Sequence, residues 1–256
     1  MRGFWAVYKK ELYGMFMSPI FYVVAFIFLL ASGFFFNLIL SQVMLISFQV
    51  AQHMELAKGI NMLELFVRSF MSNISIIVLF IAPLLTMRLY AEERRSGTME
   101  LLFTYPITDA AVLAGKFAAC LSAFAVLVAG TLPGVIAVAV IATPAWKLIA
   151  CGYGALLLVG CAFLSMGTFT STLTRNQIIA AVISFGLLLV LWFIGETKTW
   201  AGQGAGSVLE YLSLSKHFEN LSKGLIDSRD VLFYLVFSAF FLFLTLRQIS
   251  SYRWRG

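Results

Sequence analysis

The sequence predicts an all-α integral membrane protein with six transmembrane helices, and three observations carry that prediction. Of 256 residues, 61% are apolar and only 12% are charged. Charge-free runs recur at 12–52, 69–87, 117–146, 148–174, 176–195 and 231–246, and about 20 apolar residues cross the hydrocarbon of a bilayer. The runs are continuous and lack the alternation of a lumen-facing strand, which excludes a barrel.

The elements follow in chain order. Charge at the start of the chain reaches Glu11, and the apolar run behind it is far longer than the core of a cleavable signal, so no cleavage is expected. Phe4, Trp5, Tyr8, Leu12 and Phe16 recur at helical spacing, Lys9, Lys10 and Glu11 fall elsewhere, and Ser18-Pro19 interrupts the pattern. This predicts an interfacial elbow helix over 1–18, with a frayed basic tail as the alternative. Span one, about 20–40, runs into an amphipathic stretch at 41–68, expected to lie along the membrane surface or rise from it. Phe34, Phe35 and Phe36 are read as lipid-facing or packing residues rather than the wall of a path. Span two, about 70–90, carries Pro83, and proline kinks a helix by removing a donor.

Span three, 110–141, contains "GTLPG". Thirty helical residues reach about 45 Å, more than the hydrocarbon thickness, so a kink, a tilt or a break must absorb the excess. Ala111, Gly115, Ala119 and Ala123 repeat at every fourth position and offer another helix a close approach, unless alanine is simply common there. Span four, about 148–172, is rich in small residues and leaves through "TSTLTRNQ", a turn too short to fold into anything sizeable. After span five, at 176–195, residues 196–230 are expected to form short outside helices that dip back toward the bilayer, followed by a turn at Gly224. Span six begins near residue 231.

Orientation follows from the basic residues. With the N-terminus inside, Arg2, Lys9, Lys10, Arg88, Arg94, Arg95, Lys116, Arg175, Arg247, Arg253 and Arg255 are cytoplasmic, eleven of the 18 Lys and Arg. The positive-inside rule then places both termini in the cytoplasm. The formal charge of +6 sits on that face, where anionic lipid headgroups are a sufficient partner and no nucleic acid is required.

Much familiar chemistry is missing. The span interiors hold no Asp, Glu, His, Lys or Arg, which argues against a proton-driven carrier or an intramembrane protease. His53 and His217 fall in outside segments and read as unremarkable surface residues, while Ser165 and Ser184 have no base nearby in sequence. Cys120, Cys151 and Cys161 lie in apolar runs and suit neither a disulfide framework nor a zinc site. The pair Gly115-Lys116 lacks the upstream glycine and the hydroxyl of a phosphate-binding loop. The expectation is no catalytic residue, no metal and no bound cofactor in this chain.

One charged loop stands out against that background. Glu92, Glu93, Arg94 and Arg95 end span two; Ser96-Gly97 is read as the cap of a new helix with Glu100 in its first turn. Met99, Leu102 and Phe103 then project to one side, Pro106 stops the turn, and Thr108-Asp109 caps span three. A short helix lying crossways at the surface fits a protein socket, or equally a loop with its apolar side in lipid.

The string "EERRSGTMELLFTYPITDAAVLAGK" resembles the signature of ABC-2 type permeases, the membrane subunits of one large group of ABC transporters. The matching positions are Glu92, Arg94, Gly97, Thr98, Glu100, Leu101, Leu102, Pro106, Gly115 and Lys116. The likeness extends to "YKKEL", to six spans and to "GLIDSRDVLFYL", and it is nearest to the gliding-motility-type branch. The resemblance implies one transmembrane domain over 1–256, with an elbow helix at 1–18, a coupling-helix loop at 92–109 and a re-entrant outside segment at 196–230. It implies docking of a separate ATPase on Glu92, Glu93, Arg94, Arg95, Gly97, Thr98, Met99, Glu100, Leu101, Leu102, Phe103 and Pro106. Two ATPase copies would carry ATP and Mg, and a second permease would complete the path, as a homodimer or with a larger auxiliary membrane subunit. The implied role is the permease of an exporter in the bacterial cytoplasmic (inner) membrane. A non-conducting anchor or assembly subunit is the alternative.

Overall fold

The computed structural model describes residues 2–52, 61–98, 107–141, 146–224 and 227–253, and for residues 2, 51, 198–203, 205 and 253 the backbone alone. Helix α1 (Arg2–Met17) is separated from α2 (Pro19–Gln52) by Ser18. α3 (Met62–Thr86) and α4 (Arg88–Ser96) form one interrupted span, and α5 (Asp109–Ala129) and α6 (Leu132–Ile141) form another. α7 (Trp146–Leu173) and α8 (Gln177–Phe193) follow, then a 3₁₀ turn (Ile194–Thr197), α9 (Lys198–Leu212), α10 (Leu214–Ser222) and α11 (Ser228–Arg253). Six of these helices or joined pairs are long and apolar enough to cross a membrane. The chain is a multi-pass membrane protein.

The centre of the bundle is α7, which packs against α3, α5, α8 and α11. Its small residues allow this. A Cβ added to Gly160 would come within 2.0 Å of the Phe124 ring on α5, and one added to Gly167 within 2.1 Å of Thr86 Oγ1 on α3. Both positions must lack a side chain for the backbones to approach so closely. The peripheral helices turn apolar side chains outward: Phe26 and Phe48 on α2, Val182 on α8 and Val236 on α11 are all exposed, as a lipid solvent permits.

The predicted small-residue face on span three is in use. Gly115, Ala119 and Ala123 are buried, and a Cβ on Gly115 would lie 2.9 Å from Val7 of α1. Tyr8 and Ser122 add a 3.1 Å hydroxyl contact along the same seam. α1 is therefore a docked helix, and the frayed tail is excluded. Among the three phenylalanines, Phe34 is exposed while Phe36 sets its edge against Phe66 and Phe70.

Two of the overlong spans are broken where a polar group intervenes, whereas α2 runs unbroken for 34 residues. In span three the break falls at Gly130-Thr131, where Thr131 Oγ1 donates to the Val128 carbonyl at 2.7 Å and meets Tyr153 OH at 2.9 Å. Pro133 then sits in the first turn of α6, where a missing N–H costs little. The break between α3 and α4 follows Pro83 as expected, but a second residue shapes it. Ser171 Oγ of α7 accepts from the Tyr90 and Ala91 N–H groups (3.0 and 3.2 Å) and donates to the Met87 carbonyl at 3.1 Å. Ala91 and Met87 are the pair that bond each other in a continuous helix, and here the hydroxyl of another span inserts itself on both, a recognised cause of kinks.

One expectation needs correction. No separate surface helix occupies all of 41–68: Ser41–Gln52 prolongs α2, and Met62–Arg68 opens α3 behind the cap of Asn61. The apolar content of both stretches lets them extend the spans. Gly97 ends α4 in the left-handed conformation, φ 73°, which glycine adopts without steric penalty, and Thr98 directly after it is again helical, so the expected Ser96-Gly97 cap stands between two helical segments.

Candidate functional site

The charged stem of the loop is organised by a lysine two turns inside α5. Thr108 caps that helix by accepting from the Ala111 N–H, as its sequence predicts. Lys116 then points into the bundle and is 1% exposed. Its ammonium donates to Glu11 of α1 at 2.9 Å, to Glu93 of α4 at 2.8 Å and to the Leu89 carbonyl at 2.9 Å. All three N–H bonds of the ammonium are thereby used. The Tyr90 ring lies 5.2 Å away, and Lys10 stands 3.6 and 3.7 Å from the same two carboxylates. Two ammonium groups balance two carboxylates, so three elements share one charge-balanced knot with Lys116 buried at its centre and Lys10 at its exposed edge.

Two further ties hold α4. Arg88 clasps Glu92 through two N–H bonds of 3.0 and 3.3 Å and donates a third, 2.8 Å, to Ser18 at the α1–α2 joint. Arg94 donates to the Thr172 carbonyl at the end of α7 and lies 4.4 Å over the Tyr252 ring of α11. α4 is consequently fastened to α1, α5, α7 and α11.

Of the residues predicted for partner docking, Glu92, Glu93 and Arg94 are engaged inside the subunit by these ties. Arg95 is exposed, Gly97 ends α4 with positive φ, and Thr98 meets Ser96 Oγ at 2.9 Å. Met99, Glu100, Leu101, Leu102, Phe103 and Pro106 lie outside the described residues. Sequence reasoning missed Glu11, Ser171 and Tyr252 as members of the site. A usable signal existed for one partner, since a lysine two turns into an apolar span demands a nearby carboxylate.

At the opposite end of the bundle, His217 is not the surface residue expected. It is 7% exposed, bonds Asp230 of α11 at 2.6 Å and the Tyr211 carbonyl at 2.8 Å, and stacks on Phe233. Both ring nitrogens face oxygen atoms, so the ring is held from two sides. Nearby, the bond to Lys223 holds the Glu219 carboxyl below its ordinary range, with Lys216 and Arg68 adding to the effect. The bond that Lys216 donates to the Glu196 carboxylate holds its ammonium above the ordinary range. Gly224 ends this cap at φ 76°, at the predicted turn.

A single match spans most of the N-terminal helix, the fastened loop stem and all six spans up to residue 247. The family model described as ABC-2 family transporter protein covers residues 5–247. This chain belongs to the ABC-2 transporter family. As an ABC-2 family protein it is a membrane component of an ABC transporter, generally without catalysis of its own, and the family implies an ATPase partner. A search of the curated proteins returns no match.

Proposed function

We propose that this ABC-2 protein is the permease subunit of an ATP-driven exporter and that residues 92–109 receive force from a separate ATPase. The observation that carries this reading is the Lys116 knot, which makes the stem of the loop a lever fixed to α1 and α5 instead of a loose amphipathic connection. In this reading Met99, Leu102 and Phe103 seat in a groove of the ATPase, with Arg95 and Glu100 at the rim. Glu92, Glu93 and Arg94 act from behind by holding the stem. α1 serves as the cytoplasmic elbow, both termini are cytoplasmic, and the membrane is the bacterial inner membrane. α9 and α10 form the outside re-entrant segment of a single transmembrane domain.

ATP and Mg belong to two copies of the partner. Closure of that pair displaces the stem, and the ties of Lys116 and Arg94 pass the displacement to α1, α5, α7 and α11. Work is transmitted only if contact energies differ between the two states of the bundle. A second permease, either an identical copy or a larger auxiliary subunit of the gliding-motility type, completes the path. The test is co-purification of the ATPase with wild type and with a Leu102→Asp, Phe103→Asp double variant. Loss of association is the expected result, and unchanged association overturns the docking assignment.

A further inference from the structure

A cleft of about 290 Å³ opens between α1, the start of α2 and the α3–α4 junction. Its two ends differ in chemistry. At one end stand Glu11, Arg88 and Glu92; at the other, Ile20, Val24 and Leu84. The apolar end continues outward along α3, where Ile76, Phe80 and Leu84 are exposed at 40, 53 and 37% and succeed one another every fourth residue. That spacing places them in one row on the helix face. A polar mouth at the end of a span, followed by an apolar track along it, matches the division between the headgroup and acyl chain of a bilayer lipid.

The polar mouth narrows the choice of headgroup. Its lining side chains carry two carboxylates and one guanidinium, with Lys116 and Lys10 beside Glu11, so the mouth offers both signs of charge, as a zwitterionic headgroup requires. Arg88 uses three of its five N–H bonds on Glu92 and Ser18, leaving two for a phosphate. Glu11 gives one oxygen to Lys116, and among the described residues nothing bonds the other. That oxygen is an acceptor for an ammonium N–H. A quaternary ammonium favours aromatic faces, and the only ring in the lining, Phe21, is buried against the apolar end. We propose that this cleft binds a zwitterionic phospholipid bearing a primary ammonium, with the ammonium on Glu11, the phosphate on Arg88 and one acyl chain along Leu84, Phe80 and Ile76.

The full chain is placed in nanodiscs containing equal parts phosphatidylethanolamine, phosphatidylcholine and phosphatidylglycerol, and retained lipid is counted by native mass spectrometry. Wild type is expected to retain phosphatidylethanolamine with a preference of about tenfold, the size of one charge-assisted hydrogen bond. Gly14 lines the cleft, and a Cβ there meets no atom within 4 Å. Gly14→Leu is therefore expected to fill the cleft and abolish the preference while leaving α1 helical. Glu92→Gln, which loosens the clasp on Arg88, should reduce it to about twofold. A phosphatidylethanolamine with a photoreactive acyl chain should label the segment from Ile76 to Leu84. Equal retention of the three lipids, or a preference that survives Gly14→Leu, overturns the proposal. So does cross-linking of the Ile76–Leu84 row to a second copy of the chain in place of lipid.

Discussion

Lys116 and Glu93 stand 2.8 Å apart, and the lysine side chain is 1% exposed. A buried ion pair adds little net stability when formed, because desolvation offsets attraction, but removing one partner leaves the other uncompensated. Lys116→Met should therefore cost about 3–5 kcal/mol, read as a lowered unfolding temperature of the purified chain. Adding Glu93→Gln to Lys116→Met should recover part of that loss. A double variant no more stable than the single one would show that the two groups do not act together.

Ser171 satisfies three backbone groups at the α3–α4 break. Ser171→Ala should cost about 1–3 kcal/mol by leaving buried donors without an acceptor. The amides of Tyr90 and Ala91 should then exchange hydrogen faster than those of mid-span α3. Unaltered exchange at both amides would mean that the helix closes the gap by itself.

Gly160 and Gly154 occupy the same helix in opposite circumstances. A Cβ at 160 would meet Phe124 at 2.0 Å, whereas one at 154 meets nothing within 4 Å. Gly160→Ala should destabilise by about 1–3 kcal/mol through overpacking. Gly154→Ala should stabilise by about 0.5–1 kcal/mol, because alanine loses less conformational freedom in a helix. Thermal unfolding of the two variants side by side checks both signs.

The cap around α10 should respond to pH at both extremes. Glu219 is held below its ordinary value of 4.5, so its contribution is present above that value and disappears as pH falls through the lower folded one. Lys216 is raised above 10.5, so its contribution is present below 10.5 and disappears as pH rises past the folded value. Stability contributed by these pairs should be level between about pH 5 and 10, and small because both groups are partly exposed. Glu219→Gln should reduce the acid-side slope in a thermal-unfolding series and change the alkaline side only slightly, because Glu196 is the main cause of the Lys216 shift and Glu219 a smaller one.

Much of the fold was legible along the chain because its causes are local. Continuous apolar runs specify spans, since a backbone in lipid must satisfy its hydrogen bonds internally and a helix does so within one segment. "GTLPG" marked the break in span three and Thr108 the start of α5, because both act on backbone groups within four residues. At Gly97 the glycine ends one helix with positive φ and the next residue, Thr98, is helical again, so a local signal marked a junction.

The candidate site was legible only in outline. Composition identified Glu92 to Arg95 as unusual for their surroundings, but the partners of Glu93 lie on Lys116, 23 residues away, and that lysine also takes Glu11, 105 residues away. His217 meets Asp230 across a turn, and Ser171 reaches the α3–α4 break from 80 residues downstream. By itself the sequence determined how many times the chain crosses and where its charge collects, because the bilayer judges each segment singly by its transfer free energy. Which of those charges face one another was decided only by tertiary structure, because a polar group in a low-dielectric interior is stabilised by whatever the packing brings within 3 Å, and sequence separation does not enter that energy.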